Sequence, residues 1–224
     1  TASEDLVGAV CASLATLADH VSLLTAEDYC AAVPELAGAT IGQHVRHCID
    51  HYVTLASGIA MREFNYDDRA RSGEVECDRD HAIETVSRLL DELRPALLTV
   101  ECSTAVRVRT ASSRSGQVAW QQSSLGRELQ FVVNHTVHHA AMVANSCRVR
   151  GLPSSAEHGV APSTLRHRAA LSTQDEPRRQ GALAARPHGC SRESQYLSLT
   201  NFCHDWRIRA TGTSIVGNHL GVFG

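Results

Sequence analysis

Two short stretches hold six of this chain's thirteen histidines: Gln43-His44-Val45-Arg46-His47-Cys48-Ile49-Asp50-His51 and Asn134-His135-Thr136-Val137-His138-His139. Both read as helix, where residues four apart lie one turn above each other on a single face. His135 and His139 can therefore offer two imidazoles to one ion. A third ligand must come from elsewhere, and His44, His47 and His51, spaced three and four apart, line one face of the other stretch. Two such helices facing each other would close a three-histidine metal site. Three neutral imidazoles leave zinc or nickel at least one open position, which separates a catalytic site from a closed structural one. Water entering that position has its pKa lowered to about 7, and a coordinated thiol is deprotonated outright, so either becomes a nucleophile at neutral pH.

The elements that must hold these residues are legible as amphipathic helices. Val7, Val10, Leu14, Leu17, Val21 and Leu24 recur at steps of three and four, the apolar stripe of a first helix. Thr1 and Glu4 have capping-box spacing, with Ser3 as an alternative N-cap. After a break containing Pro34 and Gly38, Thr40 is the N-cap expected for a second helix over 41–59, its inward face being His44, His47, Cys48, His51 and Leu55. About twenty residues without periodicity follow, which in a compact domain points to a crossover or a working loop. A third helix starts near Asp80, with Ile83, Val86, Leu90, Leu93 and Leu97 on its stripe, and Pro95 should end or kink it. Val106 and Val108, alternating with arginines, suggest a short extended segment. The fourth helix begins near Ser123 or Ser124 and runs to about Arg150, where Gly151 and Pro153 stop it. The pattern predicts an all-α fold, a four-helix bundle with a long crossover between helices two and three. That crossover makes helices two and three parallel and lets helices two and four run antiparallel across the core.

Length allows one domain with a tail, and the bundle is assigned to 1–168. Beyond it the composition turns to Ala, Arg, Ser, Gln and Gly, so 169–194 read as a disordered linker and 195–224 as an unassigned tail or truncated module. The net charge is −3 and every basic residue is arginine, without the clustering of a nucleic-acid footprint. Eight cysteines at irregular spacing, with no CxxC pair, argue against a disulfide scaffold. No basic stretch leads into an apolar run after Thr1, and no uncharged apolar stretch of membrane-spanning length occurs, so the cytoplasm is the expected compartment.

The order and spacing of these motifs resemble the DinB/YfiT-like family of metal-binding four-helix bundles, over roughly residues 3 to 168. In that family a helix-two histidine in an HxxD context and an HxxxH on the last long helix coordinate a divalent metal. The matching positions here are His47, followed by Asp50, and His135 with His139. The resemblance thus implies a site of His47, His135 and His139, with Zn or Ni as the cofactor. It also implies a transferase or isomerase that uses a low-molecular-weight thiol such as mycothiol, bacillithiol or glutathione.

Around that site several roles are expected. His44, His51 and His138 are second choices as ligands, and His51, one turn beyond His47, is the candidate general acid or base, its ordinary pKa being near 6.5. Asp50, Glu128 or a backbone carbonyl is the expected hydrogen-bond partner of a ligating imidazole. Arg69 and Arg71 can meet an anionic substrate group, although solvated loop charges are the commoner case. Cys48 and Cys147 read as small core residues. The partner expected is a small-molecule substrate, with no nucleic acid and no membrane, and a helix face could carry a homodimer. The reading from a different class is a non-enzymatic metal-binding or stress-associated bundle.

Overall fold

Each histidine stretch lies on a long helix that its own cap starts. The computed structural model describes residues 2–111 and 118–183. In chain order these form α1 (Ala2–Ser22), α2 (Ala26–Cys30), β1 (Ala32–Val33), β2 (Ala39–Thr40), α3 (Ile41–Gly58), β3 (Glu63–Asn65), α4 (Gly73–Cys77), α5 (Arg79–Leu98), β4 (Ala105–Ala111), β5 (Val118–Ser124), α6 (Leu125–Val149) and α7 (Pro162–Leu183). Thr40 and Gln43 form a reciprocal capping box at the start of α3, and the Ser124 hydroxyl accepts from the Arg127 amide at the start of α6. The four long helices α1, α3, α5 and α6 are those expected from the sequence, and they make a four-helix bundle.

The chain directions follow from contacts at the helix ends. Glu76 of α4 pairs with Arg46 in the second turn of α3, so α5, which starts at Arg79, begins at the same end and runs parallel to α3. Arg79 in turn donates to the Leu24 carbonyl just beyond α1, which makes α1 and α5 antiparallel. Between α3 and α6, His44 faces His139 while His51 faces His135, the order of an antiparallel pair.

The apolar stripe of α1 is buried along its length, as are Val86, Leu93 and Leu97 of α5. Tyr52, fully buried in α3, ties three helices: its hydroxyl is 2.7 Å from Ser13 of α1 and 3.1 Å from Thr136 of α6. Cys48 and Cys147 are fully buried, in keeping with their reading as core residues.

Three features depart from the expectations. Helix α5 runs through Pro95 to Leu98 instead of ending there. Pro95 falls in the last turn, where the carbonyl it leaves without a partner belongs to exposed Asp91 and can be hydrated. The crossover between α3 and α5 is also partly regular. It contains β3 and α4, and β3 pairs parallel with β4 through Phe64↔Val108. Finally, the extended segment around Val106 is one arm of a hairpin, β4 pairing antiparallel with β5 from Ala105↔Ser124 to Ala111↔Val118. The chain turns tightly from α3 into this sheet at Gly58, where any Cβ would meet the Glu63 carbonyl and the Phe64 ring.

The described residues up to Arg178 belong to one compact unit. The segment read as a linker begins as helix, since α7 carries the chain to Leu183, and residues 184–224, including the expected tail, lie outside the described residues. Among the described residues no helix is long and apolar enough to cross a membrane.

Candidate metal centre

Helices α3 and α6 bring together the three histidines that the motif match singled out. His47, His135 and His139 each offer a ring nitrogen within 4.8 Å of the other two, and among the described residues they are the only such group of three metal-ligating side chains. Their ring centroids form a near-equilateral triangle of 4.5, 4.6 and 4.9 Å. His135 and His139 owe their shared face to their four-residue spacing, and His47 reaches them because α3 runs antiparallel alongside.

Burial is the main cause of the site's electrostatics. Desolvation pushes His47 down to about 3, with His51 and Arg69 adding to the effect, and lowers His139 to about 3 and His135 to about 4 with help from neighbouring histidines. All three rings are therefore neutral at pH 7, the state in which an imidazole has a lone pair to give. His135 Nε2 is buried without a hydrogen-bond partner. An unsatisfied buried nitrogen is costly unless something comes to it, and the donor set suits a borderline-soft divalent ion such as zinc or nickel.

The next layer differs from the partners expected. Asp50 is held by Arg46 at 3.1 Å, and Glu128 accepts from the Ser123 hydroxyl at 2.5 Å, so both carboxylates are engaged away from the triad. The partner of His139 is His44, the two Nδ1 atoms lying 3.3 Å apart. One of them must carry the proton that the other accepts. When His139 Nδ1 is the donor, its Nε2 keeps the lone pair for an ion, and the His44 proton goes to Nε2, which is itself buried and unpartnered. His51 is fixed differently: its Nδ1–H donates to the His47 carbonyl at 2.8 Å, leaving Nε2 as its free acceptor. His138 is exposed, one residue off the ligand face.

Two surrounding contacts were not read from the sequence, although Arg69 itself was named there. Arg69 reaches back from the loop after β3, and its Nη1 lies 2.7 Å from His47 Nδ1, so Arg69 is no solvated loop charge. Tyr66 and Phe131 form an aromatic wall, Tyr66 stacking 5.3 Å from the His51 ring and Phe131 lying 5.6 Å from His135. Phe131 precedes His135 by four residues, so its placement on the same face was legible. Nothing local marked Tyr66. Both rings also line a cavity of about 670 Å³, together with Gln121, Ser123, Arg127 and Glu128 among others.

One solved structure shares this fold. YfiT from Bacillus subtilis, described as a probable metal-dependent hydrolase with an unusual four-helix bundle topology, superposes with a TM-score of 0.52 at 14% identity, over 67% of this chain and 89% of that one. A DinB-like protein from Bacillus cereus covers 64% of this chain and 90% of its own, at a TM-score of 0.44 and 14% identity. FK506-binding protein 5 of Rhizopus delemar is 31% identical over 114 residues, half of this chain but only 29% of that protein. The chain thus spans less than a third of this relative's length. The family model of the DinB superfamily matches residues 12–143, more than half of the sequence, and the chain belongs to that superfamily.

Proposed function

We propose that this protein holds a divalent metal on His47, His135 and His139 and uses it in a transferase or isomerase reaction with a low-molecular-weight thiol. The observation that carries the reading is the convergence of three neutral imidazoles, one with a buried unpartnered nitrogen, from two antiparallel helices. An ion there, Zn or Ni by its donor set, supplies Lewis acidity that keeps a thiol or a water deprotonated at neutral pH. The chain's own residues supply the rest. His44 orients His139 through the Nδ1 contact, and Tyr66 and Phe131 keep water from the His51 and His135 side. His51, with Nδ1 committed to the His47 carbonyl, has Nε2 free to take or return a proton as general acid or base. The substrate is a small molecule.

YfiT, as a probable metal-dependent hydrolase, supports a second reading in which the nucleophile is water. Cobalt-substituted protein separates the two. A sulfur-to-cobalt charge-transfer band that grows with mycothiol, bacillithiol or glutathione supports the thiol reading. A spectrum that no thiol alters but that titrates with pH near 7 favours water. Metal content that is unaffected by His135→Ala would overturn both.

A further inference from the structure

Arg69 and a metal at this site cannot both hold His47 as it now stands. A guanidinium has only N–H donors, so the 2.7 Å contact requires a lone pair on His47 Nδ1. An ion bound through Nδ1 takes that lone pair. An ion bound through Nε2 needs the proton on Nδ1, which would set two donors against each other. Either way the guanidinium is released from His47 when the centre is filled.

Within the protein, Asp50 and Asp67 are the carboxylates that act on it. Asp50 is already paired with Arg46, whose Nε also faces Glu76 at 2.9 Å. Arg69 Nε is buried without a hydrogen-bond partner even before release. Asp50 and Asp67 act electrostatically on Arg69 from one side and Arg46 and Arg71 from the other, so its guanidinium sits among charges of both signs. A planar fork of donors in a partly buried setting matches a carboxylate, which it can hold through two parallel hydrogen bonds.

We propose that Arg69 anchors the carboxylate of the ligand that enters the metal centre, so that the site selects small anionic ligands and, in the thiol reading, thiols bearing a carboxylate. The inference rests on the metal-binding reading above.

The test uses the full chain loaded with cobalt and two thiols of similar size, mercaptoacetate and 2-mercaptoethanol, followed by calorimetry and by the cobalt spectrum. The wild-type protein should bind mercaptoacetate about tenfold or more tightly than 2-mercaptoethanol, the worth of a charge-assisted pair. Arg69→Ala should abolish that preference, and Arg69→Lys should keep part of it. Cobalt affinity in Arg69→Ala should match or exceed that of the wild type, because a competitor for His47 is gone. The proposal is overturned by equal mercaptoacetate affinity in wild type and Arg69→Ala, by no mercaptoacetate binding at all, or by cobalt affinity that falls in Arg69→Ala. Failure of the underlying metal reading is seen separately, as cobalt retained by His135→Ala.

Discussion

The bundle contains two histidine clusters, one half-buried and one buried, and only the half-buried one is arranged for a metal. In the first, His47, His135 and His139 point ring nitrogens toward one another from two helices. In the second, near the far end of α6, the rings of His20 and His158 stack face to face, 3.9 Å apart and 13° from parallel, with the Cys147 sulfur 3.5 Å from His20 Nε2. Burial holds both sets below the usual histidine range, His158 at about 4, and each contains a buried nitrogen without a partner. A depressed pKa and an unpartnered buried nitrogen therefore do not distinguish them, and the cluster with the more buried rings is not the one suited to a metal. Convergence does: stacked rings direct their nitrogens sideways, along parallel planes, whereas ligands must aim their lone pairs at one point.

The largest effect expected is the loss of metal on breaking the first cluster and its retention on breaking the second. His135→Ala should lower the bound-metal stoichiometry after dialysis from near one to near zero, with affinity down by more than about a hundredfold. His158→Ala should leave stoichiometry unchanged and instead destabilise the chain by about 1–3 kcal/mol, since it removes a packed ring from the loop that closes on α6. Metal analysis and denaturant titration on the two variants read these outcomes. Metal lost in His158→Ala at full stability would erase the distinction.

Next in size is the support that His44 gives to the first cluster. His44→Leu removes the acceptor for His139 Nδ1–H and should weaken metal binding about 10–100-fold. His44→Asn, which restores an acceptor, should recover part of it. A competition titration with a chromophoric chelator measures both, and equal affinity in all three proteins would show that His139 needs no such partner.

A smaller effect separates the clusters by pH. Folded-state values of about 3 to 4 lie below the ordinary histidine pKa near 6.5, so the unfolded chain binds protons that the folded chain refuses. Stability of the metal-free protein should thus be full above about pH 6.5 and fall as pH drops toward about 3. Both clusters contribute to that slope, and His158→Phe should flatten it between about 6.5 and 4. Only the first cluster should respond to metal: its imidazoles are already deprotonated in the folded protein above about pH 4, so the rise in melting temperature on adding zinc should hold between pH 7 and pH 5 and shrink as pH falls toward about 3 to 4, and His158→Phe should not alter that course. Denaturation curves at four pH values, with and without zinc, are sufficient.

The legibility of this protein follows the range of the interactions involved. The four helices, the caps at Thr40 and Ser124 and the i, i+4 pair at His135 and His139 were written in local sequence, which depends on neighbours a turn away, whereas of the caps expected for the first helix Ser3 lies inside α1 and Thr1 falls outside the described residues. The choice of His47 over His44 and His51 came from a motif match, because all three lie along one face and only the approach of α6 decides among them. The contact of Arg69 with His47 was not legible, because it spans 22 residues of a crossover with no period to read. The β4–β5 hairpin was half seen: Val106 and Val108 alternate with arginine, but in β5 Gln121, Gln122, Ser123 and Ser124 give no apolar alternation. The second cluster was invisible for the same reason as Arg69, since His20, Cys147 and His158 are joined only by tertiary packing.

The smallest effect expected concerns the one sulfur in that second cluster. Cys147 lies beside an imidazole, the arrangement that elsewhere activates a thiol, yet desolvation, its largest influence, raises its pKa, and the neighbouring Arg150 only partly opposes this. His20 is itself lowered by burial and so is neutral at pH 7, which removes the positive charge an activated cysteine needs. In native protein a thiol reagent should therefore label the exposed Cys30 and Cys77 and leave Cys147 unmodified until the chain unfolds. Cys147→Ala should change metal affinity by less than about twofold and cost about 1 kcal/mol through lost packing. Mass spectrometry after timed labelling reads the first outcome. Rapid modification of Cys147 in the folded state would show that the far end of the bundle is a reactive site rather than a packed one, and the contrast between the two clusters would then be one of chemistries instead of one between a site and a core.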